Sequence, residues 1–86
     1  MEIEFDIEKN KRNIASHGID MSLADILFKN DYRVEIDDRF EYGEIREVAY
    51  GYISGREFVC VFTERGSARR IISLRKANKR EVNEQY

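Results

Sequence analysis

The sequence predicts an α+β fold: a mostly antiparallel sheet of about four strands, with two N-terminal helices packed on it and a short C-terminal helix. The apolar residues follow a helical period before Tyr32 and alternate after it. Tight turns separate the later strands, and such turns join antiparallel neighbours. With 86 residues and no proline, the chain is expected to form one domain over residues 1–86 with few interruptions of its strand ladders.

The N-terminal elements follow from local signals. Glu2–Phe5 alternates polar and apolar residues and predicts a short strand. Asp6 is a typical N-cap for a helix that runs to about His17, and Gly18 is the residue type that ends one.

A second helix follows after a very short loop. Asp20 or Ser22 caps it, residues 23–28 supply a wide apolar stripe, and Asn30-Asp31 closes it. The two helices are therefore expected to form a compact αα-hairpin.

The rest of the chain predicts four strands and a helix. The strands are expected at Arg33–Ile36, Glu44–Ile53, Glu57–Thr63 and Arg69–Leu74. Glu57–Thr63 is the most apolar and therefore central, and Ser54-Gly55 is a two-residue hairpin turn. Because side chains alternate along a strand, one face of the last strand is expected to carry Arg69, Ile71, Ser73 and Arg75. The other face is expected to carry Arg70, Ile72 and Leu74. A charged helix is expected from Lys76 to about Glu84.

Composition excludes several classes of protein. One histidine and one cysteine rule out a Cys/His zinc site within one chain and an internal disulfide. The sequence has no glycine-rich phosphate loop and no nucleophile elbow. No run of 18 apolar residues is present, so no membrane contact and a cytoplasmic location are expected. Cys60 lies mid-strand and is expected to be a buried small hydrophobe rather than a nucleophile.

The charge is uneven along the chain. Residues 1–50 carry 7 basic and 13 acidic side chains, whereas residues 51–86 carry 8 basic and 4 acidic ones. Residues 65–80 hold seven cations and no acid. This run indicates an anionic partner, because arginine suits bidentate phosphate contacts; the alternative is a solvated face that balances the acidic half.

Five blocks in order resemble the BrnT family of ribonuclease toxins. The matching residues are Asp6, Lys9, Asn13, His17-Gly18, Tyr42-Gly43-Glu44 with Arg46, Thr63-Glu64-Arg65-Gly66, and Arg70–Ala77. They cover almost the whole chain. The sequence departs from the family at Phe5, where tryptophan is usual, and at Leu74, where alanine is usual.

The resemblance implies a curved antiparallel sheet like that of the RelE and ParE toxins. It also implies RNA cleavage without a metal or other cofactor, and neutralisation by a BrnA-type protein antitoxin. DNA would be contacted only indirectly, through the antitoxin that represses the operon.

Such cleavage uses the 2′-OH of RNA as nucleophile, so the protein must supply a base, an acid and cations. The residues expected to be catalytic are Arg65, Arg70, Arg75, Lys76 and, as first candidate base, Glu64. The residues expected to bind RNA are Arg69, Lys79, Arg80 and Tyr42, with Tyr86 as a further stacking candidate. Glu44 and His17 are further acid–base candidates, although His17 also suits a helix C-terminus and Tyr86 a frayed end.

Two other classes of function remain open. In the first, the chain is a toxin of the same fold that acts on another target, such as DNA gyrase, in the manner of ParE-like proteins. In the second, the chain is a non-catalytic module that offers a cationic platform to RNA or to a regulatory protein.

Overall fold

The computed structural model describes residues 2–38 and 43–86 and confirms the α+β class. The elements are β1 (Glu2–Glu4), α1 (Ile7–His17), a 3-10 turn (Met21–Leu23), α2 (Ala24–Lys29), β2 (Tyr32–Asp37), β3 (Arg46–Ile53), β4 (Arg56–Arg65), β5 (Ala68–Lys76) and α3 (Lys79–Gln85).

The five strands of the described residues form one sheet in the order β1-β5-β4-β3-β2. Strands β2 to β5 pair antiparallel, and β1 pairs parallel with β5 through Glu2–Ala68 and Glu4–Arg70. About four strands were expected besides the short N-terminal one, which joins the sheet at its edge. The most apolar strand, β4, lies centrally as predicted.

The core lies between one face of the sheet, here called the helix face, and the helical segment of residues 19–29. Its largest fully buried side chains on these elements are Phe62, Met21, Leu27, Ile71 and Leu74. Gly51 on β3 makes this packing possible, because a Cβ there would lie 2.9 Å from Cγ of Leu27. Cys60 is fully buried, and burial raises the pKa of its thiol to about 12, which suits the predicted inert hydrophobe.

Local chemistry sets the ends of α1 and the hairpin turn as predicted. The Asp6 side chain accepts a hydrogen bond from the backbone N–H of Lys9 at 2.9 Å, and Gly18 ends the helix with φ +69°. Ser54 and Gly55 both have positive φ, as a two-residue hairpin of this twist requires. Asp20 caps the 3-10 turn through the Ser22 N–H.

The predicted alternation along β5 is wrong beyond its first half. Val61 pairs with Ser73 and Phe62 with Ile71, so Ile72 is an extra residue in a β-bulge. Ile71 and Leu74 consequently both reach the core although they are three residues apart.

The predicted start of the last helix at Lys76 is also wrong. Strand β5 continues through Lys76, and α3 begins at Lys79. Asn78 sets this start by a capping box, in which its side chain accepts from the Glu81 N–H at 2.8 Å and its own N–H donates to the Glu81 carboxylate at 2.9 Å. Strand β4 likewise extends to Arg65, beyond its expected end at Thr63.

Helix α1 is fastened to the sheet edge by Asn13, whose side chain is 94% buried. Its amide nitrogen donates to the backbone carbonyls of Ile19 and Leu74, both at 2.8 Å. Its amide oxygen accepts from the Leu74 N–H at 3.1 Å. The Asn13 side chain thus supplies hydrogen-bond partners to the backbone of Leu74, at the part of the β5 edge with which β1 does not pair.

We expect Asn13→Ala to lower the free energy of unfolding by about 3 kcal/mol, since buried peptide groups of Leu74 and Ile19 lose their partner. Urea unfolding measures this loss. Asn83→Ala, at an exposed position of α3, is the control and should change stability little. A loss below about 1 kcal/mol for Asn13→Ala would show that water replaces the amide.

Candidate active site

The second face of the sheet, opposite the helix face, carries a row of polar side chains. Glu47 pairs with the core residue Phe62, so alternation places the preceding Arg46 on the second face. Thr63 and Arg70 pair directly and lie on the same face. This row leads toward the edge of β5, where α1 lies.

Helix α1 completes a cleft at this edge. Five of its residues at helical spacing face Arg46 of β3 and Ile72 of β5 across about 300 Å³; they are Lys9, Arg12, Asn13, Ser16 and His17. The bulge contributes directly, because Ile72 is the residue that it adds to β5.

The cleft is cationic. Lys9, Arg12 and Arg46 contribute three positive charges, and His17 adds a group that can donate or accept a proton. No carboxylate is present among the described residues that line it. A phosphate group is the kind of anion that such a set attracts and binds by charge-assisted hydrogen bonds.

A carboxylate stands beside the cleft. Glu44 lies 4.0 Å from Nε of Arg46 and 3.5 Å from a guanidinium nitrogen of Arg65. The segment that carries it is anchored by the Thr63 hydroxyl, which donates to the Ile45 carbonyl at 2.7 Å. The Arg65–Glu44 pair connects one predicted site residue with the cleft through Arg46.

Glu64 and Arg69 do not belong to this arrangement. They form an ion pair of 2.8 Å next to Tyr32, whose hydroxyl accepts from Arg69 at 2.9 Å. The guanidinium of Arg69 stacks over the rings of Phe28 and Phe62, at 4.5 and 4.9 Å from their centres. The prediction that Arg69 shares a face with Arg75 is therefore wrong, since these contacts lie on the helix face.

Arg75 lies on the second face but away from the cleft. It makes a bidentate ion pair with Glu81 at 2.7 and 2.8 Å, which joins β5 to α3. The hydrogen bonds of this pair raise the pKa of Arg75 and lower the pKa of Glu81. Arg70 is similarly paired with Glu4 of β1 at 2.8 Å.

The remaining predicted residues are scattered. Lys76 and Lys79 are exposed, and the Arg80 side chain is 83% exposed with Glu84 at 3.8 Å. Tyr42 lies outside the described residues. Tyr86 is packed rather than frayed: its hydroxyl donates to the Phe58 carbonyl, and its ring meets two tyrosine rings of β3 edge-on. Burial raises the pKa of the Tyr86 hydroxyl.

The candidate residues that sequence reasoning missed are Lys9, Arg12 and Arg46. On α1, the sequence signal is the spacing of Lys9, Arg12 and His17, which places these three polar side chains on one face of the helix. Arg46 has no such signal, because only the pairing of β3 with β4 and the bulge on β5 bring it to the cleft.

Among residues 2–38 and 43–86, no three His, Cys, Asp or Glu side chains lie close enough together to hold a metal ion. None of the helices there has the length and apolarity needed to cross a membrane.

A comparison with family models finds one match, over residues 5–81. The model is described as ribonuclease toxin, BrnT, of a type II toxin–antitoxin system. No curated protein sequence is significantly similar to the chain.

We expect Glu81→Gln to reduce the loss of free energy of unfolding that the native chain shows as the pH falls into the acid range. The lowered pKa of Glu81 means that its stabilising effect is present above the ordinary value of 4.5 and is lost as the pH falls through the folded value. Glutamine keeps the capping box but loses the charge, so the variant should be about 1 kcal/mol less stable at neutral pH and converge on the native chain in acid.

Urea unfolding at a series of pH values measures this convergence. Glu84→Gln removes a carboxylate of the same helix without touching Arg75 and is the control. A constant difference between the Glu81→Gln variant and the native chain at all pH values would contradict the assignment.

Proposed function

Because the chain belongs to the BrnT family of ribonuclease toxins of type II toxin–antitoxin systems, we propose that it cleaves RNA without a metal ion. The attacking group is the 2′-OH of the substrate, which displaces the 5′-oxygen of the next nucleotide. The observation that carries the proposal is the cationic cleft, in which three cations and a histidine converge with a carboxylate beside them.

The scissile phosphate is proposed to bind between α1 and Arg46. Lys9 and Arg12 approach it from the helix and Arg46 from the sheet, so the phosphate is held from two sides. The transition state carries more negative charge on its non-bridging oxygens than the ground state does. Cations placed before the reaction therefore lower the barrier.

Proton transfer is assigned to Glu44 and His17. Glu44 takes the proton from the 2′-OH as the O2′–P bond forms, and His17 gives a proton to the 5′-oxygen as the P–O5′ bond breaks. The products are a 2′,3′-cyclic phosphate and a 5′-OH, so atoms and charges balance. Histidine suits this role because either ring nitrogen can carry a proton and donate it to the leaving oxygen. Glu64, the first candidate base from the sequence, is replaced by Glu44 because its ion pair with Arg69 lies on the helix face.

The other predicted cations take supporting roles in this proposal. Arg65 is a positioning residue that holds Glu44. Arg70 and Arg75 tie β1 and α3 to β5 through their carboxylate partners. Lys76, Lys79 and Arg80 stay available to the rest of the RNA strand; these three residues are exposed.

The partner and the wider fold belong to the same proposal. A protein antitoxin is implied by the toxin–antitoxin family, and we assign it to the BrnA type from the resemblance in the sequence. The antitoxin of such a complex makes the DNA contact in operon repression. The antiparallel strands β2 to β5, with two N-terminal helices, support a RelE-like fold.

We predict that the purified chain cleaves RNA in the presence of EDTA and leaves 2′,3′-cyclic phosphate ends. His17→Gln should lower the cleavage rate at least about 100-fold, because the leaving oxygen loses its proton donor. Lys11→Ala, which removes an exposed lysine of α1 outside the cleft, is the matched control and should keep the native rate. Gel analysis of a labelled RNA and its end groups measures both.

Three results would contradict this reaction. Loss of cleavage in EDTA would show that a metal is needed. Intact RNA with damaged DNA would favour a gyrase-directed toxin of this fold. Tight binding of RNA without cleavage would favour a non-catalytic module.

In cells, expression without the antitoxin is predicted to arrest growth, and Arg46→Ala should relieve the arrest because the phosphate loses its contact from the sheet. Arg65→Ala should relieve it in part, since Glu44 keeps one of its two arginines. Lys11→Ala, which removes an exposed lysine of α1 outside the cleft, should stay toxic. Growth curves at matched protein levels give the measurement, and equal toxicity of all three variants would place the site elsewhere.

A further inference from the structure

The two edges of the sheet differ in how they are closed. At one edge β1 covers the first residues of β5, and Asn13 satisfies the peptide groups of Leu74 farther along. At the other edge β2 has six residues, and no strand of the described residues pairs on its outer side. An open edge of this length can take up an added strand, because half of its peptide groups point outward.

One side of β2 is apolar and exposed. Val34 is 37% and Ile36 60% exposed, and neither belongs to the core. Ile45, at 70% exposure, shares a surface hollow with Ile36. Exposed β-branched residues grouped at a free edge are a feature that proteins otherwise avoid.

The other side of β2 carries two acidic residues, Glu35 and Asp37, together with Arg33, which lies 3.2 Å from Glu35. A cavity of about 320 Å³ lies between it and α3, with Val48, Val59 and Val61 among its apolar residues. Five carboxylates of the described residues line this cavity, namely Glu35, Asp37, Asp38, Glu81 and Glu84, against Arg75 and Arg80. The formal charge of these described residues is therefore negative by three, in contrast to the cationic cleft at the opposite edge.

We propose that β2 is the docking edge for a strand of the antitoxin, in which apolar residues alternate with basic ones. Side chains of an added strand alternate between the two faces of the sheet, as those of β2 do. The apolar ones would cover Val34 and Ile36, and the basic ones would reach Glu35 and the cavity. This inference rests on the antitoxin that the proposed function assigns to the chain.

Charge distinguishes this occupant from two others. RNA is repelled by the carboxylates of the cavity. A second copy of the chain would bring the same acidic residues to this edge and not the excess of basic side chains that the cavity attracts. A basic protein strand meets opposite charge on one face and apolar side chains on the other.

The first test follows backbone amide exchange of the native chain with and without the antitoxin encoded in the neighbouring reading frame. Binding is expected to slow exchange at least tenfold at amides within Arg33–Asp37. Unchanged exchange there in a saturated complex would overturn the proposal. Protection of the same amides by self-association, without the antitoxin, would overturn it as well.

The second test measures antitoxin affinity by calorimetry for Ile36→Lys and Glu35→Lys. Each is expected to weaken binding at least tenfold, because the edge gains a positive charge where the partner is apolar or basic. Ile7→Lys and Glu8→Lys make the same changes at exposed positions of α1 and should bind like the native chain. Native affinity of both β2 variants would overturn the proposal.

These tests distinguish a failure of the docking-edge proposal from a failure of the proposed reaction. RNA cleavage by the free Glu35→Lys variant should equal that of the native chain, because Glu35 lines neither the cleft nor the hollow that contains Glu44. A chain that binds the antitoxin along β2 without cleaving RNA would refute the proposed reaction and support the docking edge. A chain that cleaves RNA while its antitoxin leaves β2 unprotected would refute the docking edge alone.

Discussion

The side chain of Asn13 is the contact on which the candidate site depends. It bonds both peptide groups of Leu74 and the carbonyl of Ile19, and so takes the place of a neighbouring strand at the edge of β5. Helix α1 contributes no other fully buried residue to the described structure, and the side chain of Ile7 is 69% exposed. The helix is therefore held at the sheet by directed hydrogen bonds, and these also fix the orientation of its cationic face.

Three arginines of β5 are engaged in close ion pairs. Arg69, Arg70 and Arg75 each lie within 2.8 Å of a carboxylate from another part of the chain. Carboxylates of β4, β1 and α3 largely neutralise their charge and join these elements to β5. The cations that line the cleft come instead from α1 and β3, where the sequence has no dense basic run.

The sequence predicts features that depend on neighbouring residues. The cap at Asp6, the left-handed Gly18 and the Ser54-Gly55 turn are local, and all three occur as expected. The bulge at Ile72 and the approach of Arg46 to α1 depend on strand register, which no short segment contains. Charge density likewise pointed to the segment 65–80, but the carboxylates that pair with its arginines lie outside that segment, and only the fold shows which arginine each of them meets.

The extra residue at Ile72 shifts the alternation of inward and outward side chains between the two halves of β5. Before it, Arg69 and Ile71 face the helices; after it, Leu74 does so, and Ser73 and Arg75 face the other way. Odd-numbered residues therefore face the helices in the first half of β5 and the opposite way in the second half. A substitution tolerated in one half says little about the equivalent position in the other. Deletion of Ile72 would turn β5 into one regularly alternating strand in which Ile71 and Leu74 still face inward and Ser73 outward, and the cleft would lose the residue that the bulge contributes.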